Sequence, residues 1–165
     1  MRDLSQLVAI RKKRADRKMR LEAKARQALL AASSDVQKAL DDIEAFAQQV
    51  KTLELDLLND LLKCEVTVAD IKKMESQLLA AEKQAAKLRE QLTLAQEKED
   101  AHENAFQKAR SAKVDAHSSL QKIEVSQEHL LSEVAKLESE AEDRELDEVV
   151  QGLFRREAGG HDRAS

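Results

Sequence analysis

The side chains that most often carry chemistry are few in this sequence. There are four histidines, His102, His117, His129 and His161, and a single cysteine, Cys64. No cysteine and histidine stand at metal-ligand spacing, and no serine stands with a histidine and an acid in a recognised catalytic order. We therefore expect no catalytic residue, no metal site and no cofactor, and we interpret the protein as non-enzymatic.

The residue types favour long helices instead. The chain has no proline, its first glycine is Gly152, and most other residues are Ala, Leu, Lys, Glu, Gln or Arg, which lose little on entering a helix. Only three phenylalanines represent the aromatic residues, so a globular core of large side chains is not expected. The apolar content of 42% is too high for a disordered acidic chain, so the helices should wind together.

A seven-residue repeat marks the first half of the chain. Apolar residues, apart from Glu22, recur from position 8 in the row Val8, Ala15, Glu22, Leu29, Val36, Ile43, Val50, Leu57, Cys64, Ile71 and Leu78. A fixed heptad keeps one seam facing a partner helix. The companion row is expected three residues earlier, at Met19, Leu40, Ala47, Leu61 and Val68.

In the second half the companion row moves to three residues later. One row then contains Leu78, Ala85, Leu92, Glu99, Phe106, Lys113, Leu120, Gln127, Val134 and Ala141, and the other contains Ala81, Leu88, Ala95, His102, Ala109, Ala116, Ile123, Leu130, Leu137 and Arg144. A single helix with a stutter could absorb the shift, but a hairpin explains it more simply. His102 and Cys64 fit the seam as tolerated core residues rather than as ligands.

The predicted fold is therefore all-α, with two long helices that form an antiparallel coiled-coil hairpin. A single hairpin should occupy residues 1–151, with one arm over about 3–65, a bend within 64–77 and a second arm over about 77–151. β-branched residues and a weak capping box at Thr67 and Asp70 favour a bend at 65–68, whereas the phase change favours 73–76. Gly152 should cap the second helix and begin a flexible tail, residues 152–165.

Charge is divided between the two ends of the chain. Residues 1–26 carry ten Arg or Lys against three acids, and residues 124–148 carry ten acids against two bases. In a hairpin folded near residue 75, position i faces roughly position 150 minus i, so the two blocks should lie side by side. The basic block nevertheless surrounds most of its helix, and some of its charges should face an acidic protein partner.

The residues LVAIRKKRADRKMR, 7–20, resemble the start of the type III secretion central-stalk proteins, the YscO/FliJ-like family (injectisome SctO group). The matching feature is RADR, residues 14–17, one turn after a short Leu/Val/Ile group. The length and the proline-free helical body are similar to the same family.

The resemblance implies a small cytoplasmic protein, peripheral to the secretion apparatus at the inner membrane. It would link and regulate the hexameric export ATPase and the export-gate membrane protein, bind secretion chaperones, and act as an elongated monomer. By analogy, the ATPase would be contacted by the basic residues Arg11, Lys12, Lys13, Arg14, Arg17 and Lys18. No apolar run approaches a membrane span and the first is interrupted by Arg11, so neither a signal peptide nor direct membrane insertion is expected.

A second apolar stripe precedes the bend. Leu55, Leu58, Leu62 and Val66 recur at three- and four-residue spacing, away from the seam residue Leu57. One partner helix cannot cover both faces, so this stripe is either a docking face or a homodimer contact. The family resemblance favours docking to the export gate.

Two other functions fit parts of the pattern. A structural coiled coil that homodimerises would have the same heptads with twice the mass. A nucleic-acid-binding protein would use the basic arm, but the acidic remainder and the scarcity of aromatic residues for stacking argue against nucleic acid as a partner.

Overall fold

Two helices contain nearly all of the residues that the computed structural model describes, which are 2–63 and 65–160, with side chains for 3–63 and 65–156. Helix α1 spans Arg2–Lys63 and helix α2 spans Val68–Gly160. They pack against each other as an antiparallel hairpin, so the predicted all-α fold is confirmed. Both helices run long because no proline interrupts the chain and helix-favouring residues dominate it.

The chain reverses next to Thr67, which begins α2 with a capping box. The backbone N–H of Thr67 donates to Asp70 Oδ2 at 3.0 Å, and the backbone N–H of Asp70 donates to Thr67 Oγ1 at 3.3 Å. Each side chain thus satisfies a backbone donor that the first helical turn leaves unpaired. The bend predicted within 64–77 is confirmed at its early end, the placement at 73–76 is wrong, and Cys64 lies outside the described residues.

The described chain divides into two compact units. The first contains residues 17–114, and here alanines lie among larger apolar residues along the seam. Its half-buried or buried seam positions on α1 include Ala25, Leu29, Ala32, Val36, Ala39, Ile43, Phe46, Val50, Leu53 and Leu57, and those on α2 include Ala81, Ala85, Leu88, Leu92, Ala95, Phe106 and Ala109. Ala32 is only 7% exposed, because small side chains let the two backbones approach closely.

The second unit contains the described residues up to 16 together with those from 115 onward. Its seam joins Leu4, Val8, Arg11 and Ala15 of α1 to α2, where Leu120 is only 8% exposed. The last half-buried residue of α2 is Gln127, and every side chain from 128 to 156 is exposed. We call residues 128–156 the exposed segment.

The predicted seam of the first arm is half right. The row from Val8 to Leu57 is half-buried throughout, as expected. Of the companion row, Leu61 is half-buried as expected, but Met19, Leu40, Ala47 and Val68 are exposed. The companions lie three residues later, as in the second arm, so the seam does not change phase. Both flanking rows contain apolar residues at helical spacing, and only the position of α2 decides between them.

Other predicted seam positions are exposed as well, and the early bend explains those near the end of α2. Ile71 and Leu78 lie outside the seam, and so do His102 in the middle of α2 and Val134, Leu130, Leu137, Ala141 and Arg144 in the exposed segment. Because the chain reverses at residues 65–67, Arg2 of α1 lies opposite about residue 130, and none of the described residues of α1 covers later positions of α2.

The second helix also ends later than predicted. It continues through Gly152 to Gly160, and no described glycine has a positive φ, so Gly152 does not form a left-handed cap. Glycine has a low helix propensity, but a single glycine lowers helix stability only by about 1 kcal/mol and need not end the helix. Residues 161–165 of the predicted tail lie outside the described residues.

Candidate partner-binding surfaces

The six basic residues of the N-terminal block occupy two turns of α1 and differ in exposure. Lys12, Lys13, Arg14 and Arg17 are exposed, whereas Arg11 and Lys18 are half-buried at seam positions. Arg11 Nη1 donates to Ser119 Oγ of α2 at 3.0 Å. Arg11 thus takes part in the contact between the two helices, whereas the exposed cations are available to another molecule.

The predicted pairing of the basic block with the acidic block is wrong. Three contacts between the helices, Arg11 with Ser119, Glu22 with Lys113 and Ser33 with Glu99, place position i opposite roughly position 132 minus i. Most of the acidic block, residues 124–148, therefore lies beyond the position on α2 that faces the start of α1 at Arg2. Among the described residues, no ion pair joins Lys12, Lys13 or Arg14 to a carboxylate.

The polar exceptions in the seam contact one another instead. Lys113 Nζ lies 3.5 Å from Glu22 Oε2, and the Glu22 side chain is only 15% exposed. Ser33 Oγ donates to Glu99 Oε1 at 2.5 Å. Polar side chains in a seam specify register when they meet across it, so these two contacts help to select this alignment of the helices.

The acidic block lies mostly in the exposed segment. Between residues 133 and 148 there are eight acids and two bases. The described contacts of these acids are local, with Arg144 Nη2 at 3.9 Å from Glu140 Oε2 and His129 Nδ1 at 3.6 Å from Glu133 Oε1. Exposed pairs of this kind contribute little to stability. The segment therefore presents a largely uncompensated negative surface.

The apolar stripe before the bend is exposed, as its spacing predicts, but its four residues do not form one surface. Leu55 and Leu58 face outward, and Leu62 is 85% exposed. Val66 lies in the bend and lines an open groove between the helices, together with Leu57, Leu61 and Met74. The structure thus separates Val66 from the three leucines.

The heptad rows do not predict a third apolar surface, which lies near the end of α2. Its residues are Leu146, Val149, Val150, Leu153 and Phe154, and all are exposed. Their spacing of three and four residues is the signal that could have identified them. They lie on a different face of α2 from Leu130, Val134 and Leu137, because the apolar rows shift after Arg144.

The described residues bring no reactive groups together. No three His, Cys, Asp or Glu side chains among them are placed to hold a metal ion. His102 and His117 are exposed, while His161 and Cys64 lie outside the described residues. The hydrogen bonds from Thr67 lower the pKa of the Asp70 carboxyl group.

Comparisons with known proteins found no match to a family model, a curated protein or a solved structure. No described helix contains a stretch apolar and long enough to cross a membrane.

Proposed function

We propose that the protein is a non-enzymatic stalk component of a bacterial type III secretion export apparatus. In this role a helical hairpin contacts the hexameric export ATPase and the export-gate membrane protein, and regulates the ATPase. The observation that carries the proposal is the cluster of exposed cations in the RKKRADR stretch, for which the described part of the hairpin shows no ion pair with a carboxylate. The resemblance of that stretch to the YscO/FliJ-like family supplies the identity of the partner.

The basic turns of α1 would form the ATPase contact. Lys12, Lys13 and Arg14 are exposed on successive positions, so they present positive charge over most of the circumference of the helix. Charge of this kind accelerates encounter with an acidic surface and orients it. The half-buried Arg11 and Lys18 would hold the helix in place rather than reach the partner.

The leucines before the bend would form the export-gate contact, with secretion chaperones as further partners. Leu55, Leu58 and Leu62 remain exposed on the hairpin, and apolar side chains at three- and four-residue spacing fit a groove in a partner. The protein would work in the cytoplasm, peripheral to the apparatus at the inner membrane.

Reversing charge at the basic turns tests the ATPase contact. The triple variant Lys12→Glu, Lys13→Glu, Arg14→Glu should bind the export ATPase at least about tenfold more weakly and stimulate it less, because removal of a charge-complementary surface slows association. The matched control is Lys83→Glu, Lys87→Glu, Lys98→Glu, which changes the net charge equally at exposed positions of α2. Equal ATPase binding by both variants, at unchanged helicity, would refute the contact.

The export-gate contact is tested with a pair of aspartates. Leu55→Asp with Leu62→Asp should abolish capture of the soluble domain of the export gate and leave ATPase binding intact. The control, Leu30→Asp with Leu94→Asp, places the same change at exposed leucines elsewhere on the hairpin. If the first variant changes the mass of the particle in solution instead of gate binding, the stripe is a homodimer contact.

A further inference from the structure

The exposed segment continues the helix–helix seam beyond the point where α1 begins. Leu130, Val134 and Leu137 follow Ile123 and Gln127 at heptad spacing, yet Leu137 is 65% exposed. An apolar row flanked by charge is the pattern of a coiled-coil surface, and in this part of the described chain it has no helix against it. The segment therefore presents a seam that a helix from another molecule can cover.

Charge determines which helix can cover it. Glu138 and Glu140 flank the apolar row on its two sides, and the surrounding residues are mostly acidic. Two exposed segments laid against each other would bring these carboxylates together, and like charges across a helix interface are destabilising. The occupant must therefore be a cationic helix with exposed apolar residues.

The first turns of α1 have this composition. Leu7 and Ile10 are exposed apolar residues, and Arg14 lies on the same face at helical spacing with Lys13 beside it. Within one molecule these turns cannot reach the exposed segment, because α1 starts beside α2 where that segment begins. A second copy of the chain removes this restriction.

We propose that two copies pair reciprocally, with the exposed segment of each lying along the first turns of α1 of the other. If the two α1 helices meet at their starts, equal rise per residue aligns positions 7–14 of one copy with roughly 135–142 of the other. Leu7 and Ile10 then approach Val134 and Leu137, and Lys13 and Arg14 approach Glu138 and Glu140. The contact is made twice about a two-fold axis, so it closes as a dimer.

The dimer does not depend on the proposed secretion role, but the pairing and the proposed ATPase contact use some of the same residues. Pairing covers Lys13 and Arg14, which also belong to the proposed ATPase contact. The single hairpin is then the form that binds the ATPase, and the dimer is a form in which its basic turns are masked. The elongated monomer expected from the family resemblance would predominate in dilute solution or at high salt.

Two charge-reversed variants test the pairing by sedimentation equilibrium at low salt. One carries Lys13→Glu and Arg14→Glu, and the other carries Glu138→Lys and Glu140→Lys. The wild-type chain should dimerise with an affinity that falls as salt rises, and each variant alone should associate at least about tenfold more weakly. Mixed in equal amounts, the two variants should form a heterodimer, because both contacts are then again between opposite charges.

Three results would overturn the proposal. The wild-type chain could stay monomeric at low salt, its dimer could be unaffected by either reversal, or the mixture of variants could fail to associate. Circular dichroism of each variant establishes that helicity is retained, and all four positions are exposed, so folding should be unaffected. The Glu138→Lys, Glu140→Lys variant keeps its basic turns, so its binding to the export ATPase tests the proposed function separately from dimerisation.

Discussion

Helix α2 has two regions with similar sequences and different surroundings. From Ala81 to Gln127 its heptad positions, apart from His102, are half-buried or buried against α1, and from residue 128 to 156 every side chain is exposed. Leu120 and Leu137 both occupy heptad positions, yet the first is 8% and the second 65% exposed. The difference shows that a heptad marks a surface able to pair, while the length of the partner helix decides whether it is covered.

The largest expected effect compares these two leucines. Leu120→Ala should lower the free energy of unfolding by about 3 kcal/mol, because it removes buried methyl groups and leaves a gap in the seam. Leu137→Ala should change it by less than about 0.5 kcal/mol, since the side chain is exposed in the single hairpin. Urea denaturation monitored by circular dichroism, in dilute solution, measures both. Equal losses for the two variants would mean that residue 137 is covered as well.

Enlarging an alanine also compares the covered seam with the exposed segment, but it adds side-chain volume instead of removing it. Ala32 is buried where the helices approach closely, so Ala32→Leu should destabilise the hairpin by about 2 kcal/mol through overpacking. Ala141→Leu in the exposed segment has free space around it and should change stability by less than about 0.5 kcal/mol. Thermal unfolding of the two variants side by side provides the measurement. A tolerated leucine at position 32 would contradict the close approach of the helices.

The third prediction concerns the capping box at the start of α2, and it compares Thr67 with a threonine inside the helix. Thr67→Ala should cost about 1 kcal/mol, because the hydroxyl accepts a hydrogen bond from the first helical turn. Thr93→Ala is the matched control. The Thr93 hydroxyl only donates to the Arg89 carbonyl oxygen within the helix, and alanine has a higher helix propensity than threonine. Denaturant midpoints of both variants show whether the cap or the loss of a threonine matters.

Acid titration sharpens the same prediction. The hydrogen bonds from Thr67 hold the pKa of Asp70 below its ordinary value of 3.8. The ionised carboxylate therefore favours the folded state above that value, and its contribution is lost as the pH falls through the lower folded pKa. Part of the acid destabilisation below about pH 4 should disappear in Thr67→Ala and remain in Thr93→Ala. If the wild-type protein, Thr67→Ala and Thr93→Ala all lost the same stability at acid pH, the capping role of Asp70 would be contradicted.

The smallest expected effect compares an ion pair in the seam with one in the exposed segment. Lys113→Ala leaves the half-buried Glu22 without its partner and should cost about 0.5–1 kcal/mol, a modest value because the lysine itself is 39% exposed. Arg144→Ala breaks the exposed pair with Glu140 and should have no measurable effect. The difference between the variants should shrink in high salt, and a larger loss for Arg144→Ala would show that the exposed segment is partnered.

Much of the fold could be predicted from the sequence. The helical content follows from the absence of proline, and the reversal follows from Thr67 and Asp70, whose hydrogen bonds form within four residues. The six basic residues and the four-residue stripe were also visible as patterns. Their surroundings were not, since Arg11 proves to contact Ser119 more than a hundred residues away and Val66 proves to line a groove.

The alignment of the two helices was the least accessible feature. A heptad pattern buries comparable apolar area after a shift of seven residues, so periodicity alone does not select a register. Charge suggested an alignment that placed Lys12, Lys13 and Arg14 beside the acidic block. The bend at 65–67 excludes that alignment, and the contact of Glu22 with Lys113 replaces it.

The sequence by itself determined that this protein is two long helices and that the chain turns back within residues 64–77, because helix propensity and capping act among neighbouring residues. Only the tertiary structure decided which apolar row is covered, which polar residues meet across the seam, and that residues 128–156 are left exposed. The physical reason is that each of these depends on where one helix lies along the other, and that position depends on where the chain reverses and on contacts between residues far apart in the sequence.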